Sequence, residues 1–215
     1  MVQIPSFPEA NHPLIQSLNH YSDLDLLTLF QRYPEQGKYF TGIFCRYSPI
    51  IYSLIGNSAR SPVQADYIFA LTWRHIFHEM RGLNLRDENT NADTLQNWLI
   101  NTTAMCLNGT EMPPVESINY DIKEATPPVW CYLEQAMELI PPLARLILVM
   151  ADNYHWSPTR ISAYLQAEGE NLSTEDVEYW IQQGRQFVIN ELPEDICELY
   201  FPESLEARAD ILDAV

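Results

Sequence analysis

Positive charge is scarce in this chain. Its 215 residues carry 12 Lys and Arg against 29 Asp and Glu, a formal net charge of −17. That balance speaks against a broad basic footprint on nucleic acid and favours solubility. Glycine is scarce too: seven in the whole chain leave little room for a loop that cradles phosphate. The four cysteines, Cys45, Cys106, Cys131 and Cys197, lie far apart with no Cys-x-x-Cys pair. Their even number permits disulfides, but a helical reading without a signal peptide points to reduced, packed thiols. No window approaches the ~18 uninterrupted apolar residues that a membrane span needs. The opening MVQIPSFPEANHP has no basic run before an apolar one. The expectation is a cytoplasmic protein, in which the Asn-x-Ser/Thr sequons at Asn101, Asn108 and Asn171 are chance. Strand signals, repeats and low-complexity tracts are also missing. No nucleophile and base stand in a convincing pattern, so neither an enzyme nor a cofactor is expected.

What is present is apolar and helical. Hydrophobic residues make up 47% and charged ones 19%, a balance that supports a core and excludes a disordered chain. The charge is unevenly spread: residues 1–90 sum to −1 and residues 91–215 to −16. Ser22 with Asp25 three residues on opens a helix, SDLDLLTLFQRY, in which Leu24, Leu27 and Phe30 share a face. Pro34 ends it. A second helix is expected over 36–55, bent at Pro49. Ser61-Pro62 opens a third through about Gly82. A fourth runs from Thr94 to Leu107. Residues 108–128 hold four prolines and little periodicity, and read as an interdomain linker. Helices follow at 129–140, 143–154 and 159–167. Ser173 with Asp176 then caps one more, LSTEDVEYWIQQGRQ. From Pro193 onward seven acids and one base suggest an acidic tail.

The order of these segments resembles a known family. FCRYSPIIYSLIG (44–56) looks like the opening helix of the first conserved domain in small, extracytoplasmic-function-type bacterial sigma factors. VQADYIFALTWRHIF (63–77) sits where their core-polymerase-binding helix sits, and LQNWLINTTAMCL (95–107) resembles their promoter-melting helix. LEQAMELIPPLARLIL (133–148) follows their Leu-x-x-Ala…Pro-Pro-x-x-Arg-x-Ile-Leu pattern nearly position for position. WSPTRISAYL (156–165) and LSTEDVEYWI (172–181) then fall on the two helices of a helix-turn-helix. The resemblance covers about residues 42–190.

It implies an all-α protein of two small helical domains joined by a linker. Residues 1–107 would form the first domain, with an extra N-terminal helix. Residues 108–128 would link it to the helix-turn-helix domain at 129–192, with the acidic tail at 193–215. It implies RNA polymerase as partner, with Asp66, Phe69 and Arg74 as candidate contacts. Arg81, Arg86 and Trp98 become candidate contacts to a melted promoter strand, where a base could stack on Trp98. The bland reading of these arginines is solvated helix ends.

The departures from the family bear on function. Glu178 and Trp180 stand where the recognition helix usually carries Lys and Arg. Phosphate contacts dominate the affinity of DNA-binding proteins. Glu175, Asp176 and Glu178 suit the positive end of a helix dipole but repel phosphate brought there. The first basic residue of that helix is Arg185. The turn before it, LQAEGENLS, is about five residues longer than the family's. Asn101 and Ala104 replace expected basic residues, and Phe69-Ala70 replace usual polar ones.

Two main readings follow. One is a sigma-like transcription regulator that binds RNA polymerase or another transcription protein, with promoter DNA binding weak or lost. The other is a working sigma factor that directs core polymerase to promoters. A metal-dependent enzyme is a remote third, prompted by His75, His78 and Glu79. Their spacing, however, is not that of the zinc-hydrolase helices. Trp73, Trp98, Trp130, Trp156 and Trp180 are spaced as core or interface anchors, and an exposed Trp180 would suit protein contact. The acids of 191–213 read as a solvated face, or more sharply as a mimic of DNA phosphate.

Overall fold

Helices form wherever apolar residues recur every three to four positions and a capping residue precedes them. A computed structural model describes residues 4–85, 94–109, 113–118, 120–123 and 125–202. It is all-α, with no strand among the described residues. No described helix is long and apolar enough to cross a membrane. The chain divides into two compact units. One comprises the residues up to Cys131 together with the stretch from Pro193; the other runs from Tyr132 to Leu192.

In the first unit, a 3-10 turn Pro8–Asn11 and a short helix α1 (Pro13–Gln16) precede α2 (Asp23–Arg32), α3 (Gly37–Ser58), α4 (Pro62–Met80) and α5 (Leu95–Gly109). The expected capping box opens α2: the Ser22 hydroxyl accepts from the Asp25 N–H, and the Asp25 carboxylate accepts from the Ser22 N–H. The buried stripe of α2 is Leu26, Leu27 and Phe30. Leu24, expected on that face, is 48% exposed at its edge. α3 continues through Pro49, which lacks the N–H that would bond one turn back. α4 begins as read, with the Ser61 hydroxyl capping the Gln64 N–H and Pro62 at its first position.

The core between α2, α3 and α4 is aromatic. Phe40, Phe44, Phe69, Trp73 and Phe77 are at most 1% exposed. Their rings meet edge to face, Phe40 on Phe77 at 4.8 Å and Phe44 on Trp73 at 5.1 Å. Such pairs each add about 0.5–1.5 kcal/mol beyond the area they bury.

Two stretches differ from the sequence expectation. The described residues of the expected linker, 108–128, are not a free spacer from Pro113 onward. Gln64 donates to the Pro113 carbonyl at 3.0 Å, the Tyr120 ring packs tilted against Trp130, and Ile122, Pro127 and Val129 are buried. The boundary between units falls inside α6 (Pro127–Leu139), after Cys131. Secondly, the start of the supposed acidic tail is helix α10 (Glu194–Tyr200), which belongs to the first unit. Ile196 and Cys197 are fully buried. The Asp195 carboxylate accepts from the N–H groups of Gly37 and Lys38, both at 2.9 Å, and so caps α3, whose own N-cap side chain makes no such bond. Tyr200 donates to the buried carboxylate of Glu9 at 3.0 Å and accepts from the Thr126 hydroxyl at 3.3 Å. The rest of the expected tail, residues 203–215, lies outside the described residues.

The second unit holds α7 (Pro142–Leu148), a π-helical turn Val149–Asn153, α8 (Pro158–Ala167) and α9 (Thr174–Glu191). α9 packs on both α7 and α8. Ile147, Leu148, Ile161, Leu165, Val177 and Ile181 form the core. After the π turn, His155 adopts φ 53°, a left-handed state that non-glycine residues rarely hold. The longer α8–α9 connection is well defined. Gly169, at φ 96°, closes α8 in a Schellman motif, with Glu170 N–H donating to Leu165 O and Gly169 N–H to Gln166 O. The Ser162 hydroxyl and the Gln166 amide then both donate to the Leu172 carbonyl.

Candidate functional site

The sequence-derived candidates on α9 lie in its first two turns and beyond. The capping box is present: Ser173 N–H and hydroxyl both donate to the Asp176 carboxylate, at 2.8 and 2.6 Å. These bonds, the side-chain one foremost, hold the Asp176 carboxyl below its ordinary range. Val177 turns into the core, so Glu175, Asp176, Glu178 and Tyr179 are exposed around it. Trp180 is half-buried rather than free on the surface. The one basic residue of the helix, Arg185, grips Asp152 through Nη2 at 2.5 Å and Nε at 3.4 Å. That hydrogen bond raises the guanidinium further above its usual value and sets a carboxylate against its charge. The outward face of this helix therefore presents carboxylates and an aromatic ring, with its cation already paired.

In the first unit, the candidate polymerase contacts on α4 separate from one another. Phe69 is fully buried against Phe7, Tyr52 and Trp73, with centroids at 5.7, 5.2 and 6.3 Å. It is a core residue and makes no surface contact: its aromatic side chain has turned inward. Asp66, three residues earlier, does reach the surface. It accepts from the Tyr52 hydroxyl at 2.6 Å, and desolvation raises its carboxyl above the ordinary range. It lines a cleft of about 810 Å³ together with Ile4, Arg60, Ile122 and Lys123. Arg74 is half-buried.

Of the candidate nucleic-acid contacts, Arg81 is exposed with its guanidinium 4.5 Å above the Phe77 ring. Trp98 is half-buried in the first turn of α5. Arg86 lies outside the described residues. His75, His78 and Glu79 are all exposed, and among the described residues no three His, Cys, Asp or Glu converge on a point a metal could fill.

Other groups escaped the sequence reading. Tyr52, Asp195 and the Glu9–Tyr200–Thr126 cluster act across long chain separations, which no local pattern signals. A further surface could have been found by spacing alone: Trp156, Arg160, Tyr164 and Glu168 recur every four residues.

No family model matches the chain, and neither a curated protein nor a solved structure is similar enough to count as a match.

Proposed function

We propose that the protein is a sigma-factor-like transcription regulator. It binds RNA polymerase or another transcription protein, and its promoter DNA binding is weak or lost. The observation that carries this reading is the exposed carboxylate face of α9, formed by Glu175, Asp176 and Glu178, with Arg185 held by Asp152. Each carboxylate that comes within 4 Å of a phosphate costs about 1 kcal/mol even in bulk water, and more as water is displaced. A recognition surface gains affinity from the opposite sign. The helix-turn-helix assignment of α8 and α9 rests on the resemblance of 156–165 and 172–181 to the family's paired helices.

The test titrates the full chain with promoter-length duplex DNA at about 50 mM salt, where electrostatic binding is strongest. In parallel, immobilised protein is offered purified core RNA polymerase. The reading expects no duplex binding and retention of the polymerase. Tight, salt-sensitive duplex binding overturns it.

A working sigma factor is the second reading. It is favoured by the near-neutral stretch 1–90, where Arg81 is exposed. It requires that the chain give core polymerase a promoter preference in a run-off assay.

A further inference from the structure

We propose that the α8 surface formed by Tyr154, Trp156 and Tyr164 docks an arginine- or lysine-bearing segment of a partner polypeptide. The inference is independent of sigma kinship and concerns a different helix from the carboxylate face of α9.

The first observation is the presentation of the rings. Tyr154 is 65% exposed and Tyr164 43%, and both flank Trp156, at centroid distances of 6.4 and 5.7 Å. The backbone is built to hold them there. The Tyr154 N–H closes the π turn on Val149 O, the Trp156 N–H bonds Met150 O, and the residue between them carries the positive φ. A π turn followed by a left-handed non-glycine residue is an uncommon device, and such devices concentrate at functional surfaces.

The second observation is chemical. The Arg160 guanidinium sits 4.0 Å above the Trp156 ring. This surface already receives a cation on an aromatic face, the geometry in which ring quadrupoles attract positive charge. Glu168, the C-cap of α8 one turn beyond Tyr164, is exposed, as is Glu170.

The third is charge complementarity. Residues 132–192 hold nine carboxylates and three arginines. Arg185 is paired with Asp152 and Arg160 is stacked on Trp156. The third, Arg145, is half-buried, with Nη2 3.5 Å from the Ile140 carbonyl. The net negative charge of this unit disfavours an anionic ligand. A basic segment finds the exposed Tyr154 and Tyr164 rings beside the Trp156 face that Arg160 covers, with the Glu168 carboxylate one helical turn beyond Tyr164.

The test uses the full chain and a fluorescein-labelled oligo-arginine peptide, followed by anisotropy at about 50 and about 300 mM NaCl, where screening of exposed charges differs widely. Tyr154→Ala and Tyr164→Ala leave the net charge unchanged. Each is expected to weaken binding about five- to tenfold, the worth of one ring face. Tyr154→Phe and Tyr164→Phe, which keep the ring, are expected to bind like the wild type. A second readout needs no variant: the Trp156 indole N–H resonance is expected to move on peptide addition more than that of the buried Trp73. Absence of binding overturns the proposal. So does equal affinity of the Ala variants, which would mean diffuse attraction to an acidic protein. An oligo-thymidine strand that binds and is lost in the same variants also overturns it, since the surface would then stack bases.

Discussion

Gly184 sits in the middle of α9, where glycine normally costs stability, so its replacement by alanine is an informative perturbation. On helix propensity alone, Gly184→Ala stabilises by up to about 1 kcal/mol. The packing opposes it. A methyl group at this position would lie 2.8 Å from Leu148 Cδ1, 3.0 Å from Cγ and 3.3 Å from Cδ2. Leu148 is 2% exposed in α7, so the methyl group would meet a packed side chain that has to shift. Overpacking of this kind costs about 1–3 kcal/mol. The two effects sum to a net loss of roughly 0–2 kcal/mol.

The sharper statement is a change of sign. Leu148→Ala alone is expected to cost about 2–5 kcal/mol, by lost burial and a cavity. In that background the added methyl of Gly184→Ala enters the vacated space and recovers helix propensity, so it should stabilise. The coupling between the two sites is then about 1–3 kcal/mol, as for residues in direct contact. Urea unfolding of the wild type, both single variants and the double variant measures it, followed by circular dichroism and tryptophan fluorescence. A Gly184→Ala that stabilises equally in both backgrounds refutes the reasoning. The close approach of α9 to α7 would then not exist. That approach turns Gly184 inward and leaves Glu175 and Glu178 outward, so the proposed function leans on it.

Two further predictions concern the first unit. Asp195→Ala removes the carboxylate that caps α3 from α10, and should cost about 1–2 kcal/mol by analogy with loss of a helix N-cap, read as a lower urea midpoint. An unchanged midpoint refutes the cap. Burial, opposed only in part by a backbone hydrogen bond and the one from Tyr200, raises the Glu9 carboxyl above its ordinary value of 4.5, and its Oε2 has no hydrogen-bond partner. Its contribution to stability is thus complete below that value and is lost as pH rises through the higher folded value. Glu9→Gln, which can keep the bond from Tyr200, should flatten that decline in urea midpoints measured across the acid-to-neutral range. Parallel curves for variant and wild type refute it.

Local features of the fold were legible because they depend on residues within one helical turn. Ser22 with Asp25 and Ser173 with Asp176 form the expected capping boxes, and Pro62 stands at its expected helix start. The reading failed where contacts run across the chain. Phe69 and Asp66 sit on one helix three residues apart, yet one is core and the other lines a cleft. Only the positions of Phe7, Tyr52 and Trp73 decide between those fates. Residues 108–128 read as a spacer because prolines break periodicity, but prolines do not prevent burial against distant side chains, as at Ile122 and Pro127. α10 read as a tail because acids dominate it, while Ile196 and Cys197 carry its packing.

The chain's composition by itself determined the all-helical class, most helix starts and the negative charge of the second half, since periodicity, caps and net charge are properties of neighbouring residues or of simple sums. Tertiary structure alone decided which carboxylates do structural duty and which face outward. Asp195 caps another helix and Asp152 holds Arg185, while Glu175 and Glu178 remain exposed. A charge acquires its role from what the folded chain places within a few ångströms of it, and that distance is not written in the order of the residues.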